Sequence, residues 1–232
     1  MALVGASGRY LSRTTNLPAS LQAVTMCGWA TWVSGNYNSL AGVGVAGSGA
    51  LWMQNNGSNV FTFGADGVGN GQFTNPSAGQ WFFWAMVGRP TTHVGYILRL
   101  GSDTALQTVD IGGTSDPGTL NASWLLDAGG GDYWATGSVA CAKVWAASLT
   151  PAELYQEMWS VRPRRLANLN SWSPLMVDYA DYSGNGYGWT LTGSPAYADG
   201  PPVGWGAAPY IIGNPAAGRV IGPGQIWPTV AL

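Results

Sequence analysis

The stretch from residue 23 to residue 33 decides the fold, and it reads Ala23-Val24-Thr25-Met26-Cys27-Gly28-Trp29-Ala30-Thr31-Trp32-Val33. Its side chains alternate, with Met26, Ala30 and Trp32 on one face and Cys27 and Trp29 on the other. A period of two residues is that of a β-strand. Gly28 interrupts the row of larger side chains, and we expect it to leave room for a large ring from a neighbour.

Further short strands are predicted outward from this one. They cover residues 9–12, 39–46, 50–54, 59–65, 81–89, 92–100, 106–111, 122–127 and 138–146. Glycine- and asparagine-rich turns separate them, namely Gly47-Ser48-Gly49, Asn55-Asn56-Gly57, Gly69-Asn70-Gly71, Gly112-Gly113 and Gly129-Gly130-Gly131. Regular short strands with such turns predict an all-β sandwich of two antiparallel sheets.

One short helix is predicted after the last of these strands. Thr150-Pro151-Ala152-Glu153 has the pattern of a capping box, with Thr150 as N-cap and Pro151 at the first helical position. Leu154 and Met158 are four residues apart and are expected to pack onto the sandwich. The helix is expected to end before Pro163. Strand-and-turn character resumes over residues 168–200, with a strand at Trp189-Thr190-Leu191-Thr192.

The composition is poor in charge and rich in glycine and tryptophan. Charged residues make up 9% of the chain, against roughly 25% in ordinary soluble domains. There are 13 Trp and 35 Gly, and Lys143 is the only lysine. Such a surface is either coated with Gly, Ser and Thr or hidden in an assembly, and we favour the second interpretation because exposed apolar patches associate.

Charge and hydropathy exclude several kinds of partner. The net charge is −2, and Arg162, Arg164 and Arg165 are too few for a groove that follows phosphates, so no nucleic-acid partner is predicted. No run of 18 apolar residues is present, and no membrane partner is expected. The first residues lack a basic segment followed by an apolar one, so no signal peptide is predicted and the protein is expected to be made in the host cytoplasm.

The two cysteines, Cys27 and Cys141, lie in strand-like runs and are expected to be buried free thiols. No cluster of His and Cys has the spacing of metal ligands. We therefore predict no metal and no cofactor.

The last residues form a distinct segment. The chain divides into a sandwich domain, residues 1–203, and an extended arm, residues 204–232, rich in proline and glycine. Prolines at this density exclude a helix or a central strand. The arm could be a flexible linker, but linkers are usually polar, and this one is apolar. We expect its apolar side chains to bury against neighbouring subunits; they are Trp205, Tyr210, Ile211, Ile212, Ile221, Ile226 and Trp227.

Several segments, in this order, resemble the laminin-G-like, concanavalin A-like jelly-roll superfamily. The stretch from Val24 to Trp29 is similar to its early strand, and Trp81-Phe82-Phe83-Trp84 to a central one. Gly137 to Trp145, followed by the Thr150 helix, is similar to its last core strand and short helix. Ser171-Trp172-Ser173-Pro174-Leu175 and Asp181-Tyr182-Ser183-Gly184-Asn185-Gly186 resemble its opening strand pair, here placed after the helix. The resemblance covers roughly residues 6–203 and implies a jelly roll of the phage-encoded type.

One departure from that superfamily bears on metal binding. Its members often have Asp-Glu in the last core strand, where this chain has Ala140 and Cys141. Calcium-binding acids therefore cannot be assigned here.

No catalytic centre is predicted. Glycoside hydrolysis needs two carboxyl groups about 5–9 Å apart, which on a strand means acids at i and i+2 or i+4, and no predicted strand has them. Glu153 and Glu157 are four residues apart on the helix, the spacing of a solvated face. His93 has the setting of an ordinary strand residue, and the glycine pairs lack the Lys of a phosphate loop.

A glycan-binding loop is the best candidate site. Asp132, Tyr133 and Trp134 follow three glycines, and aromatic rings with nearby carboxylates suit sugars. The alternative is that Tyr133 and Trp134 simply begin a core strand.

These features favour a non-enzymatic structural protein of a phage-like virion, either a capsid decoration or a tail or fibre component. Assembly would proceed through the arm, with other copies of this chain and other virion proteins as partners. The alternative function is a carbohydrate-binding module or an adhesin for a host glycan. The two are compatible, because a virion protein can also bind sugar.

Overall fold

The structure is a computed structural model that describes residues 1–13, 17, 19–34, 38–45, 49–56, 60–65, 69–113, 119–127 and 134–204. Within them the chain is a two-sheet antiparallel sandwich with one α-helix, as predicted. The strands are β1 (Ala2–Val4), β2 (Tyr10–Arg13), β3 (Thr25–Ser34), β4 (Asn38–Val45), β5 (Gly49–Asn55), β6 (Val60–Ala65), β7 (Gly69–Thr74), β8 (Phe82–Val87), β9 (His93–Arg99), β10 (Gln107–Gly112), β11 (Ala122–Leu125), β12 (Thr136–Trp145), β13 (Leu169–Ser173), β14 (Thr190–Thr192) and β15 (Tyr197–Ala198). The helix is α1 (Pro151–Met158), and a 3-10 turn covers Leu21–Ala23.

The strands form two sheets. The first has the order β10-β9-β8-β3-β12-β1-β15, with β13 also paired to β12. The second has the order β14-β2-β11-β4-β5-β6-β7. In each sheet one end consists of strands that are consecutive in sequence, β8 to β10 in the first and β4 to β7 in the second. At the other end, strands from the two halves of the chain alternate, as in a jelly roll.

The main core lies between the two sheets. It contains Met26, Phe82 and Trp84 from the first sheet and Phe61 and Phe63 from the second. The rings of Phe61 and Phe82 meet across the interface, with centroids 5.3 Å apart. The side chains on one face of β3 pack in this core, as the alternation in the sequence predicts.

A second apolar cluster lies on the other side of the first sheet, beneath α1. Cys27 and Trp29 of β3 pack there with Leu154 and Met158 of the helix. The predicted capping box is present, because the Glu153 N–H donates to Thr150 Oγ1 and the Thr150 N–H donates to the Glu153 carboxylate. The two faces of β3 are thus both buried, one against the second sheet and one against the helix.

Gly28 has the role that the sequence predicts for it. A Cβ atom added at Gly28 would lie 3.1 Å from Cζ2 of Trp84, which is on the neighbouring strand β8. The indole of Trp84 therefore occupies the space that the missing side chain leaves.

Gly69-Asn70-Gly71 is not the turn that was predicted but the start of β7. Gly71 is required by a close approach of the two sheet edges, since a Cβ atom there would lie 2.4 Å from the Val109 side chain of β10. A glycine within a strand can mark the close approach of a neighbouring chain segment. Gly71 has this role and is not part of a turn.

Both cysteines are buried and free, as expected. Cys141 lies in a β-bulge of β12, with φ of +56°, and its N–H donates to the Pro174 carbonyl at 2.8 Å. Burial raises the pKa of the Cys141 thiol to about 12, and that of Cys27 further still. Neither thiol is a reactive group at neutral pH.

Candidate functional site

A row of side chains crosses the outer face of the second sheet. Directly opposed residues on adjacent antiparallel strands share a face, and the pairing register places seven residues in one line. From β14 to β7 they are Thr190, Ser12, Trp124, Gly42, Trp52, Gly64 and Asn70. We call this line the aromatic row. Tryptophan and glycine alternate at its centre.

Each indole of the aromatic row lies against the glycine of the next strand. A Cβ atom added at Gly42 would lie 2.1 Å from Cζ2 of Trp124, and one added at Gly64 would lie 2.2 Å from Cζ2 of Trp52. Any side chain at either glycine would collide with the ring. The two glycines therefore let both indoles lean across the sheet in the same direction, towards β7.

These indoles belong to neither core. Trp124 and Ala122 form a small apolar cluster of their own, and Trp52 packs against it. Their strand neighbours Leu51, Met53 and Leu125 point inward into the main core, so alternation places the tryptophans outside. Trp124 is 9% exposed and Trp52 is partly buried.

A second line of side chains runs beside the aromatic row. It consists of Ser39, Gln54, Thr62 and Gln72, paired in register across β4 to β7, and we call it the polar row. On β5, β6 and β7 two residues along the strand separate it from the aromatic row, a distance of about 6.8 Å. On β4 the separation is three residues, because a β-bulge lies between Ser39 and Ala41. Trp134 continues it, because its backbone forms a bridge with that of Ser39.

Three buried polar atoms on this face have no hydrogen-bond partner within the described part of the chain. They are Nε1 of Trp124, Oγ1 of Thr62 and Nε1 of Trp134. A buried polar atom without a partner costs about 1–3 kcal/mol.

The face carries no charge among the residues described for the two rows. Its chemistry is limited to indole, hydroxyl and carboxamide groups with glycine between them. A site of this composition can stack flat apolar surfaces and exchange hydrogen bonds with neutral polar groups. It offers no ion pair.

The sequence-predicted site residues have different outcomes. Trp134 lies at the end of the polar row and is partly buried, while Asp132 and Tyr133 lie outside the described residues. The arm residues are also outside them: Trp205, Tyr210, Ile211, Ile212, Ile221, Ile226 and Trp227. Sequence reasoning missed Trp52 and Trp124. Outward tryptophans within two predicted strands were the available signal, but their alignment depends on strand register.

The prediction for Glu157 is wrong, because this side chain is buried and not on a solvated face. The Lys143 ammonium lies 2.8 Å from its Oε2, and both side chains are 1% exposed. Lys143 also donates to the backbone carbonyls of Glu157 and Ser160. The last turn of α1 faces strand β12, so the i, i+4 spacing from Glu153 does not place both glutamates in solvent.

The carboxylates with assigned contacts serve the fold. Asp103 pairs with Arg99, and the Thr92 hydroxyl donates to Asp110. Asp181 accepts from the Trp172 and Tyr187 N–H groups and so shapes its own turn. His93 is buried in β9, where its Nδ1 accepts from the Arg89 N–H at 3.4 Å. Among the described residues, no group of three or more His, Cys, Asp or Glu could hold a metal ion.

Several solved structures share this fold. No family model and no curated protein matches the chain. Among solved structures it is similar to a Bacteroides ovatus protein provisionally described as carbohydrate binding, with a TM-score of 0.58 and 17% identity, covering 88% of this chain and 61% of that one. Full-length tailspike protein 2 of an Escherichia coli O157:H7 bacteriophage has a TM-score of 0.54 and 14% identity, covering 74% and 26%.

A third similar structure is the heptameric SAP-like pentraxin from Limulus polyphemus, with a TM-score of 0.51 and 14% identity, covering 67% of this chain and 79% of that one. The strand order and these likenesses show that the chain has a two-sheet jelly-roll fold. The predicted resemblance is confirmed at the level of fold. In the part of the chain that the structure describes, no helix has the length and apolar character to cross a membrane.

Proposed function

We propose that this protein is a non-enzymatic component of a phage-like particle that binds a glycan on the outer face of its second sheet. The observation that carries the proposal is the aromatic row, in which Trp52 and Trp124 lie against Gly64 and Gly42. Flat indoles stack on the apolar faces of sugar rings, and the polar row beside them offers partners to the hydroxyl groups.

The virion part of the proposal rests on other support. The order of the sequence motifs is typical of phage-encoded jelly rolls, and a phage tailspike shares the fold. The low charge of the chain, 9%, suits a protein whose surface is covered in an assembly. Such a protein is located on the virion, with glycans and other virion proteins as partners.

The chemistry of the face supports the non-enzymatic part of the proposal. The two rows contain no carboxyl group, thiol or imidazole among their described residues. Hydrolysis of a bound glycan needs a pair of carboxyl groups close to the scissile bond.

Replacing Trp52 by alanine is expected to weaken glycan binding about tenfold. A sugar face buries about 50 Å² of ring, worth about 1.3 kcal/mol at 25 cal/mol/Å². The measurement is binding of the full chain to an array of neutral and acidic glycans, followed by titration of the best ligand. Trp124→Ala is expected to act in the same direction.

The matched control is Trp172→Ala, which removes a partly buried tryptophan from the first sheet, where its ring lies 5.8 Å from that of Tyr182 at an interplanar angle of 53°. Its glycan affinity should equal that of the natural protein. If Trp172→Ala and Trp52→Ala lose the same glycan affinity, the loss reflects lower stability of the fold and not a contact between the glycan and Trp52. Failure of the natural chain to bind any glycan would contradict the proposal.

A second candidate function is assembly through the arm, favoured by the apolar composition of residues 204–232. The predicted arm begins at Gly204, yet the Val161 N–H donates to the Gly204 carbonyl at 3.2 Å. A truncation should therefore retain Gly204. The sandwich would act as the rigid body and the arm as the connection to neighbouring subunits.

Removing residues 205–232 is expected to convert an oligomer into a folded monomer. Apolar side chains on a segment of this composition need a partner surface to leave water. Light scattering on the full chain and on residues 1–204 gives both native masses, and circular dichroism checks that the truncated sandwich is folded. Equal monomeric masses would mean that the arm does not drive assembly.

A further inference from the structure

We infer that the ligand of this face is a neutral, extended oligosaccharide of at least three sugar residues that runs across the strands from Trp124 to Trp52. The inference rests on the proposed glycan-binding function and specifies the ligand. It depends on three features of the face: its charge, the spacing of its indoles and the one-sided position of its polar row.

The first feature is charge. The described residues of the aromatic and polar rows carry neither a positive nor a negative side chain. An acidic sugar would lose the hydration of its carboxylate here without gaining a cationic partner, which is costly. Arg13, in the adjacent strand β2, turns to the other side of the sheet, where its Nε–H donates to Ser123 Oγ at 2.9 Å. A neutral glycan is therefore preferred.

The second feature is the spacing of the two indoles. Trp124 is on β11 and Trp52 is on β5, with only β4 between them. Adjacent strands are about 4.8 Å apart, so the two residues are about 9.6 Å apart across the sheet. This distance is close to the advance of two pyranose rings in an extended chain. One ring of the ligand can stack on the partly buried indole of Trp52, and a second ring, two positions away, can contact the part of Trp124 that remains exposed.

The direction of the ligand follows from the same register. Both indoles lie in one cross-strand row and lean in the same direction, over Gly42 and Gly64. A chain running along a single strand would meet only one of them. A chain running across the strands meets both.

The third feature is the asymmetry of the flanks. On one side of the aromatic row lie Gln54, Thr62 and Gln72, and on the other lie the small residues Ala122 and Gly44. The hydroxyl groups along one edge of the ligand can bond to the carboxamides of Gln54 and Gln72, which are half-buried and exposed respectively. The opposite edge meets little side-chain material, so substituents on that edge are tolerated.

The test is a calorimetric titration of the full chain with neutral oligosaccharide ladders. Cello-, xylo- and chito-oligosaccharides of one to six residues are compared with oligogalacturonates of equal length. For the preferred neutral series, affinity should rise at least tenfold between two and four residues and then level off. Trp52→Ala and Trp124→Ala should each remove that rise.

Gly64→Ala supplies a second, independent variant, because it keeps the indole of Trp52 and displaces it from its seat. It should also remove the rise in affinity with length. The matched control is Gly188→Ala, an exposed glycine with no atom within 4 Å of an added Cβ, which should leave the rise unchanged.

The outcomes separate this inference from the proposal beneath it. A glycan bound with the same affinity at every length, or an oligogalacturonate bound more tightly than every neutral ladder, overturns the inference and leaves glycan binding in place. Absence of binding to every ladder and to the array overturns both. Trp52→Ala that changes native mass instead of affinity assigns the face to protein contact and also overturns both.

Discussion

Replacing Lys143 by methionine is expected to lower the free energy of unfolding by about 3–5 kcal/mol, because it leaves a carboxylate buried without its cation. The Glu157 side chain is 1% exposed and its Oε2 lies 2.8 Å from Lys143 Nζ. The substitution also removes the donor to two backbone carbonyls, those of Glu157 and Ser160. The measurement is urea unfolding at neutral pH, monitored by tryptophan fluorescence. Its midpoint and slope give the free energy of unfolding.

The double variant Lys143→Met/Glu157→Gln is expected to recover part of this loss. Glutamine removes the buried charge, and its carbonyl oxygen can still accept from the Arg164 and Arg165 N–H groups, which now donate to Glu157 Oε1 at 2.7 Å each. Recovery identifies the unpaired Glu157 carboxylate as the main cause of the lost stability, because substitutions at two contacting residues are not additive. A double variant that is less stable than the single one would assign the loss to the orphaned carbonyls.

Glu153→Gln is the matched control, on the same helix and one turn earlier. Glu153 pairs with Arg165 at the surface, where both side chains are about one-third exposed. Surface ion pairs contribute roughly 0–1 kcal/mol, and glutamine keeps the capping contact with Thr150. A loss for Lys143→Met as small as that for Glu153→Gln would mean that water reaches Glu157 in the folded protein.

This buried pair marks a limit of sequence reasoning. Lys143 is the only lysine of the chain and stands in the apolar run from Ala140 to Trp145. A lysine in such a run needs a carboxylate, and the two candidates downstream are Glu153 and Glu157. The i, i+4 spacing of the two glutamates instead predicted that Glu157 is exposed. Spacing within a helix does not show how that helix is oriented on the sheet.

The strands and the helix were predictable because their signals are local. The alternation from Val24 to Val33 and the capping box at Thr150 each require only neighbouring residues, and the structure has both. The error at Gly69-Asn70-Gly71 has the same origin. Nothing near Gly71 in sequence indicates that Val109, on another strand, lies against it.

The candidate site was not predictable in the same way. Trp124, Gly42 and Trp52 come together only through the register of β11, β4 and β5. A shift of one residue in any of these pairings would turn the side chains of that strand to the other face. Sequence reasoning did reach Trp134, which adjoins the polar row, because glycine-flanked aromatic residues are visible without register.

Gly88→Ala is expected to destabilise the protein by about 2–3 kcal/mol, at the upper end of the range for overpacked sites. An added Cβ atom at this buried glycine would lie 1.6 Å from the Leu21 carbonyl oxygen, in the 3-10 turn before β3. A backbone oxygen cannot move aside by a change of rotamer. The Gly88 N–H also donates to the Val24 carbonyl at 2.8 Å, which holds the glycine in place.

The expected loss arises at the point where the turn before β3 meets the end of β8. Leu21 is 1% exposed and belongs to the main core, so a shift of its backbone away from residue 88 moves a core side chain as well. The Ser148 hydroxyl donates to the Gly88 carbonyl and ties the same point to the segment before α1.

Chemical unfolding measures the effect. Gly188→Ala, at an open and exposed glycine, is the control and should be neutral or stabilising by up to about 1 kcal/mol. If both alanine variants unfold at the same urea concentration, the contact between Leu21 and residue 88 relaxes without cost and does not hold this end of the sandwich together.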